Sequence, residues 1–325
     1  MFLKIQNRLF LSFNAVFLIF IFPLTLKAQS DYPNKPIKFV IPFAAGTDQM
    51  TRPLLQSLSE KLGQPIVIDY QPGAATSIGA SYVYRSKPDG YTLFLGTMAS
   101  HVLNKLTYKK LNYDPDSLSV VGMIGVIPSY LLVRVDSPLK SVEDLIYAAK
   151  HSSGGLSYGT HAIGGPNHLV GEIFRIKAGI KELVHVPYKG LRESSADLLT
   201  GRIDFMWDAG AITLVQQGKL RVLGVAYPER WPTLPNVPTM AEAGFPDVTI
   251  SGFYMIAAAP GTPNDILDKL NDALRYVLVE TEMKKRILDL NIIPRAMSRQ
   301  ETAAFMKVQS EKWTPVMKSL DINLD

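Results

Sequence analysis

The 325-residue sequence contains no cysteine, and that absence removes several classes of protein at once. No disulfide framework can form, so the fold must rest on burial alone. Thiol nucleophiles and Cys-ligated metal centres are excluded, and no cysteine is available to carry the lipid of a bacterial lipoprotein. Histidine is scarce, with five in the chain. His161 and His168 stand seven apart across a Gly-Gly-Pro turn, which matches none of the usual zinc-ligand spacings. No metal and no cofactor is therefore expected. The Gly-x-Ser-x-Gly elbow of an α/β-hydrolase is missing. Residues 159–164 have the glycine spacing of a phosphate loop, but Pro166 follows and no lysine does. There is no internal repeat and no low-complexity tract. Charge of one sign is also thin: without Lys4, Arg8 and Lys27 of the N-terminal leader, the formal +5 falls to about +2. That mildly favours anionic ligands and is too little for a nucleic-acid footprint.

The leader itself is informative. Lys4 and Arg8 precede residues 9–26, which are nearly all apolar, and Ala28 offers a small residue for cleavage. A basic head, an apolar middle and a small-residue exit describe a secretory signal peptide over residues 1–28, and hence a periplasmic mature chain. The rival reading is a membrane anchor, since the run is nearly long enough to span a bilayer. Asn14 and Pro23 interrupt it, which argues for the cleaved form.

Beyond residue 30 the chain alternates short apolar runs with amphipathic stretches, the pattern of an α/β fold. Strands are expected at 37–41, 66–68 and 91–95, with Met50, Leu54, Leu55, Leu58 and Leu62 on one helix face. Their spacing suits parallel pairing. Residues 120–135 are too long an apolar run for one strand, and Gly122, Gly125 and Pro128 break it into a crossing between two lobes. A second series follows, with a capping box at Ser141-Val142-Glu143-Asp144 and strands at 156–158, 184–186, 203–207 and 222–226. Residues 249–259 read as the return crossing. Thr262-Pro263-Asn264-Asp265 is expected to cap a helix, and Ser298-Arg299-Gln300-Glu301 to open the last one. The order predicts a type II periplasmic binding protein: two α/β lobes joined by two crossover segments, with a ligand cleft between them. Residues 29–128 and 251–325 would form lobe one, and 129–250 lobe two.

In open α/β sheets, ligands sit at the carboxyl ends of strands, where helix N-termini present free N–H groups. Four loops meet that rule: 43–48, 73–77, 96–101 and 159–167. Each combines small residues with hydroxyl groups, and the fourth ends on Gly165-Pro166, a helix start where a carboxylate would meet free amides. The bland reading is that these are turn and cap residues only. His101 and His161 lie on such loops and are candidates to approach a ligand. Trp207 reads equally as core or as an apolar wall. Asp48 reads as a helix cap or as a ligand-side acceptor.

Several motifs then resemble one family. They are Tyr32-Pro33-Asn34-Lys35-Pro36-Ile37, Pro88-Asp89-Gly90-Tyr91-Thr92-Leu93, Tyr158-Gly159-Thr160 and His168-Leu169 with Gly171-Glu172. Further on come Val184-His185-Val186-Pro187-Tyr188-Lys189-Gly190, Gly201-Arg202-Ile203-Asp204, and Leu234-Pro235-Asn236-Val237-Pro238-Thr239 with Glu242-Ala243-Gly244. In this order they resemble the substrate-binding proteins of tripartite tricarboxylate transporters, the Bug family, from about residue 32 to the C-terminus. The resemblance implies a two-lobed, monomeric receptor that takes one small organic carboxylate per cleft and delivers it to membrane permease subunits. It also implies that loop amides, hydroxyls and bridging waters hold the carboxylate. By position the implied contacts are Gly46, Thr47, Asp48, Ala75, Thr76, Ser77, Thr97 and Ser100 in lobe one. In lobe two they are Thr160, His161, Gly164, Asn167, His168 and Asp208. The chain departs from the family at Ala44-Ala45-Gly46, at Pro53, at Ala75-Thr76-Ser77 and at Trp207-Asp208-Ala209. A periplasmic sensor that shows its closed form to a signalling partner is the alternative reading. An enzyme is opposed by the missing nucleophile and metal motifs.

N-terminal sequencing of the exported protein should begin near Gln29 or Ser30; an intact Met1 in the membrane fraction would establish the anchor instead.

Overall fold

The computed structural model describes residues 31–46, 49–161 and 163–320, and the chain from Pro33 onward clusters as one unit. The expected leader lies outside the described residues, as do Thr47 and Asp48. The first series runs β1 (Ile37–Ile41), α1 (Thr51–Leu62), β2 (Ile66–Tyr70), α2 (Ser77–Tyr84) and β3 (Thr92–Thr97). β1 lies between β2 and β3, parallel to both. Ile37, Phe39, Val40 and Ile41 are wholly buried, as befits a parallel strand covered on both faces. Leu54, Leu55 and Leu58 seat α1, and Gly63 closes it at φ 70°. Pro53 falls in the first turn, where its missing N–H breaks no helical bond. A π-helical turn (Ala99–Leu103) and the short α3 (Asn104–Thr107) follow β3.

The apolar run at 120–135 divides at Pro128, while Gly122 and Gly125, expected to break it too, lie inside one strand. β4 (Ser119–Ile127) joins the first sheet, and β5 (Tyr130–Arg134) opens the second. There follow α4 (Val142–His151), β6 (Leu156–Thr160), α5 (Pro166–Lys177), β7 (Leu183–Pro187), α6 (Leu191–Thr200), β8 (Phe205–Trp207), α7 (Ile212–Gln216) and β9 (Leu220–Val225). The chain returns through β10 (Gly252–Ala258) to α8 (Asn264–Val279), α9 (Thr281–Asp289), β11 (Ile293–Pro294) and α10 (Arg299–Leu320). The first sheet has the order β11-β4-β10-β3-β1-β2, and the second β7-β6-β8-β5-β9. Two α/β sheets, exchanging the chain twice, are the architecture that the sequence predicts.

The crossing strands set the geometry. β10 enters the first sheet antiparallel to β3, so Tyr254 near its start pairs with Thr97 at the end of β3. β5 enters the second sheet antiparallel to β8, so Leu131 pairs with Trp207 at the end of β8. Antiparallel insertion therefore puts both crossings at the carboxyl ends of the strands beside them. Those ends, with their loops, face the junction between the sheets. A backbone bond from Ile250 N–H to Ala226 O and another from Ala226 N–H to Ser129 O tie the two crossings together.

Some local expectations shift. The capping boxes form as read: Ser141 and Asp144 bond reciprocally at 3.0 Å, and Ser298 and Glu301 at 2.7 and 3.2 Å. Thr262, however, does not cap α8. Its hydroxyl donates to Ala259 O at 2.8 Å, and Pro263, with ψ 143°, holds the cap position so that the helix begins at Asn264. β8 is shorter than expected because Asp204 turns its carboxylate onto the backbone and hydroxyl of Ser157. α9 and β11 were not legible as periodic elements. β11 pairs with β4 only because Gly125 lets it approach: a Cβ there would lie 2.5 Å from Ile293 O.

Asn291, just before β11, binds the two sheets together. It is 1% exposed and left-handed at φ 59°. Its side-chain oxygen accepts from Tyr130 Oη at 3.1 Å and from Thr233 Oγ1 at 2.6 Å, both from the second-sheet segment. Asn291→Gly keeps the backbone conformation and strands both hydroxyls. It should lower the unfolding free energy by about 2–3 kcal/mol, read as a lower urea midpoint. The loss should shrink in a Tyr130→Phe background, where one of the stranded hydroxyls is gone. A loss under about 0.5 kcal/mol would show that this bond adds nothing.

Candidate functional site

On the first sheet the loop after β2 carries the strongest backbone anomaly. Gly73, Ala74, Ala75 and Thr76 all have positive φ, at 122°, 45°, 46° and 74°. For alanine, and more so for β-branched threonine, this region costs roughly 1–2 kcal/mol per residue. The surroundings hold it. Asn104 of α3 donates its amide N–H groups to Ala75 O and Ser77 Oγ, both at 2.9 Å, and lies 3.1 Å from Tyr113 Oη. Tyr113 in turn donates to Ser100 O at 2.8 Å, and burial pushes its pKa up to about 12. Loops two and three are thus one clamped body. The Thr76 hydroxyl is buried without a partner among the described residues, and such an atom calls for an explanation.

The third loop is bound to itself. Thr97 N–H donates to Ser100 Oγ at 2.9 Å, Ser100 N–H to Thr97 Oγ1 at 3.2 Å, and Ser100 Oγ lies 3.2 Å from Thr97 O. The π-helical turn then rotates His101 away from the second sheet. Its ring stacks on Phe94, with Nδ1 2.9 Å from Ser100 Oγ, and lines a groove of about 310 Å³ with Lys105, Asp116, Met306 and Lys307. No residue of the second sheet lines that groove. Burial holds the His101 pKa down at about 4, so the ring is neutral. His101, expected as a candidate to approach a ligand, is turned instead toward α10.

On the second sheet, Thr160 ends β6 with Oγ1 2.8 Å from His185 Nε2 of β7. His185 stacks on His168 of α5 at 4.0 Å and 11°. His168 Nδ1 accepts the N–H of Gly164 at 3.0 Å. Burial first, and then the neighbouring His168, lower the His185 pKa to about 4; burial lowers that of His168 too. The imidazole pair is a neutral support beneath loop four.

Asp208, directly after β8, is 4% exposed. Its Oδ1 accepts Gly210 N–H at 2.6 Å; its Oδ2 accepts Asn167 Nδ2 at 3.2 Å and His161 Nδ1 at 2.8 Å. Asn167 is itself fixed by Ser129 of the first crossing, whose hydroxyl donates to Asn167 Oδ1 at 2.9 Å. Desolvation pulls the His161 pKa down, but the Asp208 charge and hydrogen bond outweigh it and leave it raised. Across the junction, Tyr254 of β10 has its pKa pushed up to about 12, by burial first and by the Asp208 charge second. The Phe43 ring stands edge-on to Tyr254 at 6.2 Å. Asp208 of one sheet and Tyr254 of the other are therefore within electrostatic reach.

The predicted residues fall into groups. Ala75, Thr76, Ser77, Thr97 and Ser100 form the clamped first-sheet body; Thr160, His161, Gly164, Asn167, His168 and Asp208 form two linked networks on the second. Gly46, in loop one, is exposed with φ 88°. Trp207 is corrected: it is wholly buried, edge-on to Phe174 at 5.6 Å, and belongs to the core. Sequence reasoning missed Asn104, Tyr113 and Tyr254. The first two gave no signal, since their partners lie in other elements; Tyr254 stood out only as a hydroxyl in the apolar return run. Among the described residues, no group of His, Asp and Glu is gathered to hold a metal ion. A larger groove of about 580 Å³ opens between α1 and α8, lined by Lys61, Asp268 and Tyr276 among others, and contains none of the candidate residues.

Comparison with known proteins agrees with this geometry. Residues 50–322 match the model of the tripartite tricarboxylate transporter family receptor. Protein BugT of Bordetella pertussis is 29% identical over 303 residues, covering 90% of this chain and 91% of its own. Among solved structures, an R. palustris protein with adipate is 33% identical, with a TM-score of 0.85, covering 90% of this chain and all of its own. MatC from Rhodopseudomonas palustris with bound malate is 28% identical, with a TM-score of 0.80, covering 88% of this chain and all of its own. The fold and the length of the match agree, and the chain belongs to the tripartite tricarboxylate transporter receptor family, whose relatives include the Bug proteins.

Proposed function

We propose that this protein is an extracytoplasmic receptor, exported by a cleaved signal peptide. It captures a small organic carboxylate between its two sheets, hands it to the membrane subunits of its transporter, and performs no chemistry on it. The observation that carries the reading is the facing pair of networks, Asp208 with His161 and Asn167 on one sheet, and Tyr254 with Phe43 on the other. Donors are plentiful there. The first turn of α5 leaves backbone N–H groups without an intrahelical acceptor, and the helix dipole favours an anion at that end. The adipate and malate held by two similar structures are anions of the same class.

Capture on this reading is closure. A ligand touched from both sheets favours the state in which both touch it, by its differential contacts. The crossings at 127–130 and 250–252 are where the backbone turns between sheets, and short segments of this kind absorb hinge motion. Thr76 is the first-sheet contact that the structure commends, because its buried hydroxyl has no partner of its own.

A thermal-shift screen of mono- and dicarboxylates, adipate and malate included, should find a stabilising ligand. At a hundred times its dissociation constant it adds roughly 2.7 kcal/mol. Thr76→Ala should leave the empty protein within about 0.5 kcal/mol of the parent and weaken binding about five- to tenfold. Incubation should return the ligand unchanged. A screen in which only amines, sugars or metals stabilise would refute the carboxylate assignment, and turnover would refute the receptor.

A further inference from the structure

A buried carboxylate beside a cleft for carboxylates is a problem in electrostatics, and Asp208 solves it with His161. Three donors use three of the four or so lone-pair directions that its oxygens offer. Gly210 N–H and Asn167 Nδ2 are neutral; His161 is the donor that can carry a full charge. Its Nδ1–H is committed to Asp208 at 2.8 Å, which fixes the orientation of the ring. The side chain remains 40% exposed. When protonated, the ring holds a second N–H, on Nε2, for which no partner is found among the described residues. The other candidate imidazoles do not compete: His101 faces α10, and His168 accepts Gly164 N–H from behind the loop.

We infer that protonated His161, pinned by Asp208, is the cationic anchor for one carboxylate of the ligand, so that capture strengthens as the pH falls. This rests on the carboxylate reading above and adds to it the group that recognises the charge. Asp208 cancels the charge of the ring without consuming its outer N–H. The bound anion then meets a directed, charge-assisted donor instead of a bare negative wall. A general receptor of loop amides would have no such pH dependence, because amides do not titrate.

The sign follows from the groups around the ring. Asp208, after β8, raises the affinity of His161 for its proton above the ordinary value of 6.5, and a bound carboxylate adds a second negative neighbour. The anchor is charged below that raised value and is lost as the pH climbs through it. Tyr254 of β10, held up near 12, stays neutral throughout. His168 of α5 and His185 of β7, behind the loop, are held below 6.5, His185 down at about 4. Both shifts run opposite to that of His161, so neither ring gains charge from its surroundings. The informative window therefore runs from about pH 6 to pH 9.

The test is calorimetric binding of adipate and of malate across that window, to the full mature protein and to His161→Gln. An NMR titration of the His161 ring in the unliganded protein and in Asp208→Asn accompanies it. Wild-type affinity should fall about tenfold or more from pH 6 to pH 9. His161→Gln should bind weakly and equally at both ends, meeting the wild type at pH 9. The ring should titrate above 6.5 in the wild type and lower in Asp208→Asn. Parallel pH curves for wild type and His161→Gln, or a ring that titrates at or below 6.5, would overturn the inference and leave the carboxylate receptor standing. If neither acid binds at any pH while another ligand class does, the carboxylate reading fails and the anchor with it.

Discussion

A buried carboxylate that must be neutralised where it sits organises the second half of this molecule. Asp208 directly follows the middle strand of the second sheet, and almost none of it reaches water. An ion left unpaired in such a place costs several kcal/mol. Its partners are therefore structural requirements: Gly210 fixes the turn after β8, Asn167 fixes the start of α5, and His161 fixes the tip of the loop between β6 and α5. Through Asn167 the same carboxylate reaches Ser129, and so the first crossing between the sheets. One charge thus holds together the loop that would meet a ligand and the segment about which the sheets would move.

The first sheet meets the same demand by other means. Among the described residues no buried charge holds the loops after β2 and β3; a strained backbone is held there by neutral hydrogen bonds. Four successive residues of positive φ persist because Asn104 and Tyr113 tie them to the turn after β3. The contrast suits a two-sided receptor. On the proposed reading, a charged, directional partner on one sheet would give orientation, and a rigid, neutral surface with buried hydroxyls on the other would give fit. Strain that is held by its surroundings is common where a ligand is clamped.

Much of the fold was legible in the sequence because its signals are local. Alternation of apolar runs gave the strands, reciprocal Ser–acid pairs gave two helix starts, and Pro128 marked the break of one apolar run into two strands, whereas Gly122 and Gly125 fall inside β4. Where a signal depended on an exact residue, it slipped: Thr262 bonds backward to Ala259, and Pro263 takes the cap instead. The site was legible as loops and less so as side chains. Residue type and loop position bring Thr160, Asn167 and Asp208 forward only as candidates. They cannot tell that a π-helical turn swings His101 onto Phe94, or that Trp207 points into the core. Nor can they find Asn104 and Tyr254, whose partners are distant in sequence and are set by sheet order alone.

The central claim is that one ligand carboxylate is held between the Asp208 network and the clamped loops of the first sheet. A crystal structure of the mature protein grown with adipate tests it most directly. It should place one carboxylate within hydrogen-bond distance of His161 Nε2 and the first turn of α5, with the ligand also touching Thr76 or Tyr254. Adipate lodged in the groove of Lys61 and Tyr276, or a ligand touching one sheet alone, would contradict it.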